Sequence, residues 1–218
     1  LTRRWEGLAK RTSWMEHLFK EWSSPEPVIA GTYGGGAQGK TTMAMILAVQ
    51  VWDHFIDTSE GATGIITTIS KSKMEAATWA TVTRLYRNTP SRLSRYAGRG
   101  LLQAGFKLVR PDTKKKVAGR EISDTEGSSA FVGLLAHKDS KDDQGLMDKV
   151  TGVHGKPAKI MIIDEAQSSN GATFLGTSNY FATTPPSRSW FLYFGNFGTR
   201  DDELGLNSQP EGGWGAMP

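Results

Sequence analysis

The sequence predicts an α/β domain, with a central, mainly parallel sheet covered by helices on both faces. Three observations predict it. Short β-branched or wholly apolar runs at 28–33, 64–69, 159–163 and 190–194 read as strands, the last two apolar enough to be buried on both sides. Stretches of helical period at 40–55 and 73–87 fall between them, which gives a strand–helix–strand rhythm. With 218 residues, 38% of them hydrophobic and 10% aromatic, the chain is large enough to enclose such a core.

In chain order, Trp5, Leu8, Met15, Leu18, Phe19 and Trp22 recur at helical spacing, and Ser13 with Glu16 has the form of a capping box. Residues 1–26 are therefore expected to form an N-terminal helical segment that ends at Ser23, Ser24 and Pro25. The strand 28–33 runs into Gly34, Gly35 and Gly36, and the helix 40–55 follows at once. Ser72 is the expected N-cap of the helix 73–87. Beyond a basic linker at 89–100, residues 106–110 and 117–122 are expected to pair as a hairpin across 111–116, with another strand at 129–136. Residues 138–156, polar and glycine-containing, read as a loop or short helix. Residues 201–218, without period, read as a linker or disordered tail, so that the domain proper spans 1–200.

Composition excludes several function classes. The chain has no cysteine, which removes disulfides and thiolate metal sites, and its four histidines lack ligand spacing. The longest apolar run, 43–51, contains Gln50, is followed by Asp53, and falls far short of the roughly 20 residues a membrane span needs. The N-terminus has charge but no apolar signal segment, and because the chain does not begin with Met an excised piece of a longer protein is expected. The formal charge of +4 is unevenly spread. Arg84 to Arg120 holds eleven Lys or Arg against the single acid Asp112, a net +10, and the remainder carries −6. Such a basic stretch, which includes Lys114, Lys115 and Lys116, can face a polyanion.

The chemistry lies at three strand ends. Gly34-Gly35-Gly36-Ala37-Gln38-Gly39-Lys40-Thr41 satisfies the P-loop pattern at every specified position, between a strand and a helix as the mechanism requires. The glycines allow consecutive backbone N–H groups to surround a β-phosphate, and the helix N-terminus adds partial positive charge. Lys40 is expected to reach the β- and γ-phosphates of ATP, Thr41 to ligate Mg²⁺, and Thr42 to bond a neighbouring phosphate oxygen. Ile160-Met161-Ile162-Ile163-Asp164-Glu165 has the form of a Walker B strand, in which Asp164 would hold Mg²⁺ and Glu165 would polarise the attacking water. Asn196 closes the third apolar strand and is placed to sense the γ-phosphate or the water.

Together the P-loop, the run Asp164-Glu165-Ala166-Gln167 and the strand ending in Gly195-Asn196 resemble the ATPase domain of a phage terminase large subunit. The resemblance implies a RecA-like P-loop NTPase that packages double-stranded DNA into a capsid. It implies a homo-oligomeric ring acting with a portal protein and a small terminase subunit, in the cytoplasm of the infected host cell and with no membrane. It also implies a C-terminal nuclease domain, which these 218 residues do not offer, and a coupling role for Asn196. The P-loop contains no arginine, and the resemblance implies a finger from the adjacent subunit, with Arg120 the first candidate and Arg99 and Arg110 behind it. Two other readings compete. Asp164-Glu165-Ala166-Gln167 also resembles a helicase motif, and a nucleotide-binding switch with little turnover would need the same loop but not Glu165. The tryptophans, Trp52, Trp79 and Trp190 among them, sit at apolar positions and are expected to pack the core rather than stack on bases.

Overall fold

The computed structural model describes residues 16, 20, 28–33, 39–56, 61–88, 105–110, 116–117, 120–121, 129–137, 142–153, 158–196, 198–209 and 212. The expected N-terminal helices, the P-loop residues 34–38 and most of the basic stretch lie outside them.

Strand β1 (Val28–Tyr33) leads toward helix α1 (Lys40–Ile56), and β2 (Ala62–Thr68) follows. Helix α2 is built in three parts: Lys71–Lys73, a π-helical segment Met74–Trp79, and Ala80–Asn88. Then come β3 (Lys107–Arg110), the short strands β4 (Lys116–Val117) and β5 (Arg120–Glu121), and β6 (Ser129–Leu135). Helix α3 (Asp143–Thr151), β7 (Ala158–Asp164), helix α4 (Gly171–Phe181), β8 (Ser189–Gly195) and helix α5 (Glu203–Asn207) complete the order.

The main sheet runs β1-β8-β7-β2-β6-β3. Its first five strands are mutually parallel, and β3 pairs antiparallel with β6 at the edge. Because side chains alternate across a pleated strand, each central strand feeds two cores. Ile66, Ile160, Ile162, Leu192 and Phe194 point into one with α1 and α2. Ile65, Met161, Ile163 and Tyr193 point into the other with Val150 of α3, Phe174 and Tyr180 of α4, and Leu204 of α5. Helices thus cover both faces, as the apolar character of β7 and β8 requires. Trp52, Trp79 and Trp190 are buried.

Three expectations are corrected. Residues 107–110 do not pair with 117–122. β3 joins β6 instead, while β4 and β5 form a separate two-stranded hairpin, because the seven-residue β6 offers β3 a four-residue ladder that a two-residue strand cannot. The N-cap of α2 is Ser70, whose extended backbone lets its hydroxyl accept from the Lys73 N–H at 3.3 Å; Ser72 lies inside the first turn. The tail is not wholly irregular. Asp202 accepts from the Gly205 N–H at 2.8 Å to cap α5, and Leu204, 2% exposed, seals the lower core.

Tyr180 ties α4 to the sheet. Its hydroxyl donates to the Thr63 carbonyl at 2.9 Å, and burial pushes its ionisation well above the usual phenol range. Tyr180→Phe is expected to lose about 1 kcal/mol, the net contribution of one buried hydrogen bond. A calorimetric midpoint lowered by about 4 °C would register it, and an unchanged midpoint would show that the bond contributes nothing net.

Candidate active site

Register brings the motif-bearing strands level at one edge. Tyr33 pairs with Gly195, and Asp164 pairs with Phe194, so the loop before Lys40, the Asp164-Glu165 pair and Asn196 all leave the sheet at its carboxyl end. β8 lies between β1 and β7, and it therefore delivers Asn196 between the two sequence motifs. In open α/β sheets ligands gather at this edge.

Gly39 has φ +76°, a left-handed conformation that costs glycine little, and it turns the chain into α1. Lys40 and Thr41 follow in the first turn. The Lys40 ammonium donates to Asn196 Oδ1 at 3.3 Å, and the Thr41 hydroxyl donates to Asp164 Oδ2 at 3.3 Å. Four residues that sequence reasoning placed at the site are therefore joined in two pairs, each linking the first turn of α1 to a strand end, that of β8 or that of β7. Partial burial lowers the Lys40 pKa, opposed by the nearby Asp164 carboxylate and assisted by the Lys73 ammonium.

Asp164 is 3% exposed. Burial raises its pKa, and the charge of Lys73, the hydroxyls of Thr41 and Thr78, and the charge of Lys40 pull the other way. A desolvated carboxylate beside a threonine hydroxyl is an oxygen donor pair of the kind Mg²⁺ accepts, because that ion keeps its remaining positions for water and phosphate. The donor set fits such an ion. Among the described residues there is no group of three or more His, Cys, Asp or Glu that would hold a metal without phosphate.

Glu165 leaves β7 with φ 59° and ψ 48°, and it is the only non-glycine residue at positive φ among the described residues. The turn that follows is closed by the Ser168 N–H on the Glu165 carbonyl at 2.8 Å. Its carboxylate accepts from the Lys73 ammonium. Thr78, one turn and a half further along α2, donates to Asp164 Oδ2 at 3.4 Å. α2 thus touches both acids of the pair, a contribution the sequence reading missed. The signal was present in one respect only: a lysine three residues after a helix-capping serine, at the end of a central strand, arrives at the same sheet edge.

Beside Thr41 and Thr42, a cavity of about 220 Å³ opens against Ala76, Ala77, Ala80, Thr81 and Arg84 of α2. The small side chains of the π segment leave this space free. Of the other candidates, Gly34, Gly35, Gly36, Ala37, Gln38 and Arg99 fall outside the described residues. Arg110 and Arg120 are placed only by backbone, in β3 and β5.

No family model matches the chain, and no curated protein sequence matches it. No helix among the described residues is long and apolar enough to cross a membrane.

Proposed function

We propose that the chain is a Mg²⁺-dependent, RecA-like P-loop ATPase that serves as the motor of a DNA-packaging machine, in the manner of a phage terminase large subunit. One observation carries the reading: Thr41 on Asp164 and Lys40 on Asn196, at the edge where β1, β8 and β7 end together.

The loop 34–39 would bind the β-phosphate through backbone N–H groups, and Lys40 would neutralise the β- and γ-phosphates. Thr41 and Asp164 would hold Mg²⁺, which screens phosphate charge as the bond to the γ-phosphate breaks. Glu165 would orient and polarise the attacking water. Asn196, within reach of Lys40, would sense whether a γ-phosphate is present and pass that state to β8. Double-stranded DNA is the substrate moved, drawn by the basic stretch of sequence 84–120. A ring on a portal, with a small terminase subunit and Arg120 supplied by a neighbour, would complete the machine in the host cytoplasm.

Phosphate release from ATP, measured with and without linear duplex DNA, tests this. Turnover is expected to need Mg²⁺, to vanish on chelation and to rise with duplex DNA. Strand separation of a forked duplex would instead favour a helicase. Nucleotide binding without measurable turnover would favour a switch.

A further inference from the structure

Two ammonium groups, Lys40 and Lys73, act on one carboxylate, that of Asp164. Lys40 comes from the first turn of α1 and Lys73 from the first turn of α2, and each lies close enough to Asp164 to act on its charge. With Asp164 and Glu165 they form a neutral quartet at the sheet edge. Lys40 belongs to the P-loop, whereas Lys73 belongs to no motif read from the sequence. Its present partner is Glu165, through an ion pair whose side chains are 28% and 23% exposed. Both side chains keep some contact with water, so an incoming anion can compete for the ammonium. A γ-phosphate beside Lys40 and Asp164 would offer Lys73 a more highly charged acceptor on the same side of the sheet. A carboxylate engaged by an ammonium is also a poorer acceptor for a water proton, so Glu165 orients water better once that ammonium has turned away.

We propose that Lys73 is a γ-phosphate ligand supplied in cis, which gives up Glu165 for a phosphate oxygen when ATP binds and so frees Glu165 for the attacking water. The exchange forms one N–H···O bond and breaks another, and no proton need leave either group. Lys73 thereby supplies within the subunit a cation that the P-loop, lacking arginine, does not contain. The inference rests on the ATPase reading above and concerns only the γ-phosphate.

The test is equilibrium binding of ADP, and separately of a non-hydrolysable ATP analogue, each with Mg²⁺, to the full chain carrying Lys73→Ala or Lys73→Arg. Lys73→Ala is expected to weaken the analogue by about tenfold or more, the range of a hydrogen bond to a charged group, and to leave ADP within about twofold. Its kcat should fall further than its KM rises, and Lys73→Arg should restore part of both. Equal weakening of ADP and analogue would overturn the proposal, as would an unchanged analogue affinity. Faster turnover in Lys73→Ala would overturn it as well, because Lys73 would then only restrain Glu165. If Lys73→Ala fails to fold, the Lys73→Arg and Lys73→Gln pair carries the same comparison, with the analogue weakened selectively in Lys73→Gln. Failure of the wild-type chain to bind either nucleotide would defeat the P-loop reading itself, independently of Lys73.

Discussion

Lys40→Ala protein is expected to lose binding of Mg²⁺-ATP, while Glu165→Gln protein binds it normally and turns it over at least about 100-fold more slowly, the scale on which a positioned base or water-orienting group acts. The two residues sit at one edge but touch different partners. Lys40 emerges from the turn at Gly39 into the first helical position and faces Asn196, where phosphate charge would lie. Removing it leaves phosphate oxygens in a partly dry pocket without their cation. Glu165 lies beyond Asp164, held by Lys73 rather than by Lys40 or Thr41, so the glutamine variant keeps the shape of the turn and loses only the charge proposed to polarise water. Calorimetric titration with a non-hydrolysable analogue, alongside phosphate release, separates the two effects. Equal loss of affinity in both variants would remove the division of labour and with it the assignment of Glu165.

Phe131→Ala is expected to cost about 3–5 kcal/mol, the range for emptying a buried aromatic site, and to lower the melting midpoint by about 10 °C or more. Phe131 is fully buried on β6 and packs edge-on against Trp52 of α1 and at a tilt against Trp79 of α2, so one ring joins the sheet to both helices on that face. Gly64 on β2 makes room for it, since a Cβ there would lie 2.4 Å from Phe131 Cδ2. The two positions are therefore coupled. Gly64→Ala should destabilise the wild-type chain, yet cost little in the Phe131→Ala background, where the added methyl enters vacated space. Strictly additive losses would mean that the helices hold the face together without the ring.

The parts of this fold that were legible are those written in local pattern. β1, β2, β7, β8 and α1 lie within two residues of their expected bounds, because apolar runs, glycine punctuation and helical period each act over a few neighbours. Lys40, Thr41, Asp164 and Asn196 could be assigned to one site for the same reason: each sits at the end of such an element. What stayed hidden depends on distant partners. Residues 107–110 look equally able to pair forward with the next strand or onward with β6, and only the completed sheet decides. Lys73 is one lysine among several in a polar stretch, and nothing in its neighbours marks it until the Ser70 cap fixes where α2 begins and hence which side chain meets Glu165. The short α5 was hidden because its single buried apolar side chain, that of Leu204, gives no period to read.

The left-handed backbone at Glu165 also sets two kinds of fitness against each other. Holding a non-glycine residue there costs about 1–2 kcal/mol, a strain that glycine would not feel. Glu165→Gly should therefore relax the turn and resist heat somewhat better than the wild type, while lacking the carboxylate proposed to act on water. If Glu165 acts on water as proposed, a population of variants sorted only for survival at high temperature would drift toward inactive chains at this position, and selection for turnover would have to act continuously to keep the glutamate. The strain held at position 165 is thus the thermodynamic signature of the proposed chemistry, and efforts to harden the protein should leave that position alone and look to the two cores instead.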